Sequence, residues 1–577
     1  MKLEQLVPSV SWLRSYNRKW FPGDLSAGLT VGVMLIPQGM AYAMIAGVPP
    51  IYGLYASTIP IIIYALLGTS RQLAVGPVAM VSLLTAAGVS VLAEAGSETY
   101  LQLAILLALM VGLIQFLLGV FRLGFLVNFL SHPVISGFTS AAAILIGLSQ
   151  VKHLLGVDLP RSHHVHEILI ALFQKLGDIH FSTFLIGLGG IAIILLSRRI
   201  HKGIPGQLLA VLFGIMSILL FDLDQAGVSV LGEVPAGFPA FELPLWNADL
   251  IIKLIPTSLA IALVSFMESI AVAKAIQAKH RNYKVIPNQE LRALGFANIV
   301  GSFFQSFTVT GGFSRTAVND QAGAKSGLAS IISAALIIIT LLFFTHLFYS
   351  LPQAILASVI LVAVSGLIDF KEARYLWRVN REDFVMLVVT FLATLTLGIE
   401  LGVLIGVILS LSMVIYRTSI PHVAILGKVP GTTLYRNVSR FKNLEEREDL
   451  LIFRFDAQLY FANLNYFKEG IEAQAQKKGE NLKFILIDAE SINYIDSSAL
   501  HLIEEMIEEY KRRNILVYFS AVKGPVRDAM ALSGIVEKIG ENHFFMDNQS
   551  VWDYIHVHGD LGDNPDPRKH YTMQTNK

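Results

Sequence analysis

The chain has 577 residues, 54% of them hydrophobic and 15% charged, with a mean hydropathy of +0.59. Average soluble proteins carry roughly 25% charged residues, and apolar runs here reach the ~20 residues that cross a bilayer, so the composition points to a membrane protein. A formal net charge of +1 gives no whole-protein attraction to nucleic acid, and the absence of cysteine excludes disulfides and thiolate metal sites.

Residues 1–23 form a lead-in with Trp12, Arg14, Arg18, Lys19 and Trp20 scattered through it. It lacks the apolar core and cleavage site of a signal peptide and reads as an interfacial helix. Spans are then predicted near 24–46, 51–68, 77–94, 98–121, 128–151, 180–197, 204–222, 248–275, 288–306, 314–323, 326–349, 353–370, 382–399 and 400–417. The third and tenth of these are short or broken.

Basic residues set the orientation. With the N-terminus inside, the inner loops hold Arg71, Arg122, Arg198, Arg199, Lys202, Lys279, Arg281, Lys284, Lys325, Lys371, Arg374, Arg378, Arg381 and Arg417, whereas the outer loops hold Lys152, Arg161 and Lys175. This predicts a multi-pass plasma-membrane protein with both termini cytoplasmic. The cluster of His163, His164 and His166 falls outside; a solvated loop is preferred there over a metal site.

Two stretches break the apolar pattern. Residues 301–320, GSFFQSFTVTGGFSRTAVND, read as an extended run (308–310), a break at Gly311-Gly312, and a new helix opened by Ser314 and Arg315. A helix starting inside a bilayer leaves unpaired N–H groups and a partial positive charge, an attraction for an anion that Arg315 reinforces. The bland alternative is an ordinary loop with Arg315 snorkelling to a headgroup. Residues 71–82, RQLAVGPVAMVS, share the grammar: a short β-like run (73–75), a Gly76-Pro77 break, then an apolar helix in which Pro77 suits the first turn. Two interrupted segments in corresponding halves point to a midplane site in an inverted-repeat transporter.

Composition changes near residue 420. Strand-like runs at 450–455, 484–487 and 516–519 alternate with helix-like runs at 465–476, 498–513 and 526–533, the βαβ pattern of a small parallel-sheet domain. The tail from 557 to 577, rich in Asp, Pro and Lys, is expected to be disordered.

The stretches PQGMAYAMIAGVPPIYGLYAS (37–57), GTSRQLAVGPVA (68–79), NQELRALGFANIVGSFFQSF (288–307) and FSRTAV (313–318) resemble the SulP family of anion transporters, whose animal members include the solute-carrier-26 exchangers and prestin. IDSSAL (495–500) resembles the STAS domain shared with bacterial anti-sigma-factor antagonists. The resemblance covers about residues 10–556. It implies a polytopic α-helical membrane protein of about fourteen spans in two inverted seven-span repeats, with core and gate domains, a cytoplasmic α/β STAS domain and a homodimer. The expected division is an N-terminal segment 1–23, a transport domain 24–418, a STAS domain 430–556 and a tail 557–577. An anion site is implied between the starts of the third and tenth spans.

Ser314 and Arg315 stand where the family places anion contacts: a hydroxyl, free N–H groups and a fixed charge in a low-dielectric cavity. Ser314 also suits a helix N-cap. Val78 and Ala79 open the facing helix and offer backbone N–H groups. Gln38 and Tyr42, four residues apart on one face of the first span, match positions that line the cavity, against the alternative of polar glue between helices. Phe313 supplies an apolar wall. Glu268 lies in SLAIALVSFMESIAVAKA (258–275), where a carboxylate is costly unless paired, protonated or facing water. The resemblance implies a coupling role for it. The hydroxyl that helps hold sodium in some members is replaced here by Val272, which favours protons; the alternative is a structural pair with Arg315. Ser498 matches the serine phosphorylated in anti-sigma antagonists, although capping of that helix by Asp496 and Ser497 is the simpler reading.

The function expected is secondary active anion transport, with sulfate the default and bicarbonate or a dicarboxylate, sodium-coupled or exchanged, as alternatives. A passive channel gains nothing from a buried Glu268, and a signalling role through the STAS-like domain does not need two broken helices. No nucleotide-binding glycine loop, zinc-ligand spacing or nucleophile elbow suggests an enzyme. No cofactor or metal is expected; the partners expected are the anion, a proton, membrane lipid and a second copy of the chain.

Overall fold

Backbone groups inside a bilayer must be satisfied within their own segment, so the apolar runs fold as helices. The computed structural model describes residues 7–125, 131–158, 165–200, 205–280 and 283–558. It divides into two units, Met1–Leu411 and Ser412–Lys577.

The first unit contains α1 Phe21–Ala46, α2 Ile59–Leu67, α3 Ala79–Ser90, α4 Glu98–Val120, α5 His132–Leu155, α6 Phe181–Ile200 and α7 Gly206–Phe221. A second series follows: α8 Ala248–His280, α9 Pro287–Ser302, α10 Phe313–Gln321, α11 Leu328–Phe343, α12 Gln353–Ser365, α13 Arg381–Leu397 and α14 Ile399–Ser419, within which the division between the units falls. These are the expected spans with several ends shifted, among them the eleventh, which stops at Phe343 rather than near 349. The second span is two pieces, Ile51–Tyr55 and α2, separated around Thr58 with Pro60 in the first turn of α2. The eighth span runs on to His280, and the twelfth ends at Ser365. The lead-in is not a free interfacial helix: Trp12 is buried, and the close approach of its ring leaves little room for a side chain at Gly327.

Helix pairing shows the inverted repeat. Helix α1 packs on α11 as α8 packs on α4, and α4 packs on α9 as α11 packs on α2. Helices α1–α4 and α8–α11 thus form one group, and α5–α7 with α12–α14 the other. The α4–α9 crossing is tight because glycines meet: a Cβ at Gly295 would lie 2.5 Å from the Phe116 nitrogen and 2.7 Å from the Gly112 oxygen. Each repeat also sends a buried carboxylate into a loop of the other. Asp24 accepts from the N–H groups of Lys325 (2.6 Å) and Ser326 (3.0 Å), and Glu290 from those of Thr69 (2.6 Å) and Ser70 (3.1 Å) as well as from the Tyr64 hydroxyl (2.5 Å). Buried charges persist where hydrogen bonds satisfy them in this way.

In the second unit the expected βαβ pattern forms a six-stranded sheet. Its strands are β3 Val423–Lys428, β4 Tyr435–Asn437, β5 Leu450–Phe455, β6 Phe484–Asp488, β7 Leu516–Ser520 and β8 Phe544–Phe545, in the order β4-β3-β5-β6-β7-β8. Strands β5 to β8 run parallel, and β3 pairs antiparallel with β4 and β5. The sheet therefore begins at Val423. Alternation along β5 sends Leu451, Phe453 and Phe455 to one apolar cluster and Leu450 and Ile452 to another. The first cluster packs under α15 Leu464–Lys478, α16 Ser497–Arg512 and α17 Gly524–Leu532; the second packs under α18 Asn548–His558.

Candidate functional site

Two short strands in the first unit, β1 Val75–Gly76 and β2 Thr310–Gly311, pair antiparallel, Val75 with Gly311 and Gly76 with Thr310. Gly312 N–H extends the ladder to the Ala74 carbonyl at 3.0 Å. Each strand leads within one or two residues into a helix, so the ladder fixes the starts of α3 and α10 beside one another.

Polar side chains buried in the surrounding helices hold β2. Asn298 on α9 accepts from Val309 N–H at 2.8 Å and donates to the Val309 carbonyl at 3.1 Å, replacing a strand partner. Ser269 on α8 accepts from Gly311 N–H at 2.8 Å and meets the Thr310 hydroxyl at 2.7 Å, and that hydroxyl donates to the Ser265 carbonyl at 2.7 Å. The Thr316 hydroxyl accepts from Ala74 N–H at 3.0 Å, and Asn319 donates to the Gln72 carbonyl at 2.8 Å. Sequence reasoning missed these holders. Ser265, Ser269 and Asn298 are polar residues on otherwise apolar helices, and that was their available signal.

The N-caps are Val78 for α3 and Gly312 for α10, both extended and both without a side-chain cap. This corrects two expectations. Ser314 is not the cap but the second residue of α10, and Pro77 lies before the cap, outside the helix. Both first turns therefore keep N–H groups that no side chain satisfies, with the dipole's positive end behind them. Phe313 and Ser314 are exposed, whereas residues 306–312 before them and Arg315 and Thr316 after them are buried. Open space lies in front of this helix start.

Arg315 is 2% exposed. Its Nη1 donates to the Pro77 carbonyl at 2.6 Å, and its Nε and Nη2 have no partner. It is neither a snorkelling side chain nor a loop residue. A Cβ at Gly312 would sit 2.9 Å from Nη2, so the glycine leaves room for the guanidinium. On α1, Gln38 and Tyr42 are buried, and Gln38 Oε1 has no partner. Ala79 and Tyr42 belong to one apolar cluster. Glu268 Oε2 is buried and unpartnered, and no direct ion pair with Arg315 forms within 4.0 Å among the described residues. The two charges are nonetheless near enough to interact, as are Arg315 and Tyr42. Val272 is buried in an apolar cluster.

A cavity of about 1360 Å³ lies elsewhere, toward the C-terminal ends of α1 and α3, lined by Met44, Ser90, Tyr100, Gln150 and Gln353 among others. None of the expected site residues lines it.

In the second unit, the Asp496 carboxylate caps α16 by accepting from Ala499 N–H at 2.8 Å, and it also accepts from Phe461 N–H at 2.9 Å. Ser498 is exposed in the first turn. His163 and His164, and the tail from residue 559, lie outside the described residues.

The helices α1–α14 in an inverted repeat, with two interrupted segments meeting start to start, define a multi-pass membrane transporter architecture. The sequence matches the sulfate permease family over residues 21–390 and the STAS domain over residues 441–551. The chain belongs to the sulfate permease family. It is 40% identical to "Sulfate transporter 4.1, chloroplastic" of Arabidopsis thaliana, over 94% of this chain and 82% of that protein. It is 34% identical to "Probable sulfate transporter Rv1739c" of Mycobacterium tuberculosis, over 94% of this chain and 96% of that one. A solved structure of SLC26A9 superposes with a TM-score of 0.89 at 25% identity, covering 97% of this chain and 94% of the other.

Proposed function

We propose that this chain transports anions across a membrane by secondary active transport, with sulfate as substrate and a proton as the coupled ion. The observation that carries this reading is the β1–β2 ladder, which sets two uncapped helix starts beside Arg315 and its unpartnered Nε and Nη2. An oxyanion seated there accepts from backbone N–H groups at the starts of α3 and α10 and from the Ser314 hydroxyl. Arg315 supplies charge, Gln38 a side-chain amide, Tyr42 and Phe313 walls, and Val78 and Ala79 the opposing turn. The names of the relatives favour sulfate over the other anions such a site could hold.

Glu268 is the proton carrier. A carboxyl among apolar helices is cheapest neutral, and the charge of Arg315 favours the ionised form. An anion offsets that charge, so anion and proton binding assist one another. The same reading places the chain in a plasma membrane with both ends cytoplasmic, as a homodimer whose STAS domain serves docking rather than enzymatic or nucleic-acid chemistry. Residues 24–418 are its transport domain and residues 430–556 its STAS domain.

The test is uptake of labelled sulfate, bicarbonate and fumarate into proteoliposomes under imposed proton or sodium gradients. Sulfate accumulation driven by an inward proton gradient without sodium is expected. A response to sodium alone, or uptake that ignores both gradients, overturns the coupling.

A further inference from the structure

Between α12 and α13 lies a ten-residue helix, Phe370–Val379. Its start is fixed: the Asp369 carboxylate accepts from Lys371 and Glu372 N–H at 3.0 Å each. One face is anchored to protein. Leu376 is buried, Glu372 meets His132 of α5 at 3.2 Å, and Asp369 N–H donates to the Ser140 hydroxyl at 3.3 Å. The opposite face carries the basic side chains, with Trp377 at its edge packed against Phe384 of α13 at 4.9 Å. Lys371, Arg374 and Arg378 follow the i, i+3, i+7 spacing of a single helix face. All three are exposed, and none has a side-chain partner among the described residues. Phe370 and Trp377 border this stripe on one edge and Tyr375 and Val379 on the other, all more than half exposed. Just beyond, Arg381 lies over the Trp377 ring at 5.7 Å.

We propose that this helix is a binding surface for anionic membrane lipid. It joins the same-side ends of two apolar spans, so it lies where the hydrocarbon gives way to headgroups. Aromatic rings on either edge suit that interface, and unpaired cations between them match anionic headgroups. A protein partner would have to bury three unpaired cations together with both aromatic edges. Through His132 and Ser140 the helix is anchored to α5, and it packs on α13, both members of the α5–α7 and α12–α14 group. Lipid held here would therefore set the depth of that group of helices in the bilayer while the α1–α4 and α8–α11 group carries the site.

The test reconstitutes the full chain in phosphatidylcholine vesicles containing brominated phosphatidylglycerol or brominated phosphatidylcholine at equal mole fraction. Quenching of Trp377 is taken as the difference between wild type and Trp377→Phe, because the chain has five tryptophans. The anionic lipid should be preferred about five-fold or more, which corresponds to the ~1 kcal/mol attraction of one basic side chain. The preference should vanish in a Lys371→Gln, Arg374→Gln, Arg378→Gln variant and persist in Lys371→Arg, Arg374→Lys, Arg378→Lys. Equal quenching by both lipids, a preference surviving the neutral triple variant, or no quenching by either lipid because protein covers the stripe would each overturn the proposal.

Discussion

Arg315 Nη1 donates to the Pro77 carbonyl at 2.6 Å, joining the first turn of α10 to the residue just before the cap of α3. One side chain thus ties the two interrupted segments together and presents two further N–H-bearing nitrogens to the space they enclose. Charged hydrogen bonds of this kind are worth roughly 1.5–3 kcal/mol each.

Arg315→Ala removes both roles and should lower sulfate affinity by about tenfold or more, as the loss of one such bond requires. Arg315→Lys keeps the charge but not the fork, and should fall between alanine and wild type. Isothermal titration on purified protein checks both. An unchanged affinity in Arg315→Ala would show that the anion sits elsewhere.

Glu268→Gln holds the side chain in a neutral, protonated-like form. It should still bind and exchange sulfate but lose accumulation driven by a proton gradient, and sodium should not restore it given Val272 at the fourth position on. Uptake and counterflow measured in the same proteoliposomes separate the two behaviours. Full proton-driven accumulation in the variant would remove Glu268 from the mechanism.

Asn298 stands in for a strand partner of Val309, a residue with no solvent exposure. Asn298→Ala leaves a buried N–H and a buried carbonyl unpaired, at about 1–3 kcal/mol each. The melting temperature should fall and sulfate flux should fall further, because β2 loses its hold beside the site. A thermal melt together with a flux assay checks this; flux that simply follows the amount of folded protein would refute the positioning role.

Gly295 brings α9 against α4 so closely that any Cβ meets backbone atoms of Phe116 and Gly112. Gly295→Val should destabilise the membrane unit by about 1–3 kcal/mol or more through overpacking. Gly177→Val, where a Cβ meets nothing within 4 Å, should not. Size-exclusion profiles after graded heating compare the two.

Burial pushes the His543 imidazole down from 6.5 to about 4, with Tyr518 stacked on it at 5.0 Å. The folded domain therefore binds this proton less well than the unfolded chain. The resulting stability is complete above pH 6.5, is lost as pH falls through the window down to about 4, and reaches at most ~3 kcal/mol. Asp449 behaves differently: the hydrogen bond from Arg447 holds it below its ordinary 3.8, so its contribution disappears only at lower pH. Urea unfolding of Ser412–Lys577, followed by Trp552 fluorescence, should show the higher window in wild type and not in His543→Phe.

Sequence alone determined the span positions, the βαβ unit and the two breaks at Gly76-Pro77 and Gly311-Gly312, because hydropathy and backbone conformation are local properties. It also marked Arg315 and Glu268, since a charge in an apolar run is conspicuous at any distance from its partners. The alternative it offered, Ser314 as a cap, fails because the start of a helix depends on backbone angles that the β1–β2 ladder imposes from far away in the chain, as the pairing of Gly76 with Gly311's neighbour Thr310 shows. The roles of Asn298, Ser269 and the Pro77 carbonyl were decided only by tertiary structure. Each is a hydrogen bond between elements remote in sequence, and which buried donor meets which acceptor is settled by packing, not by periodicity.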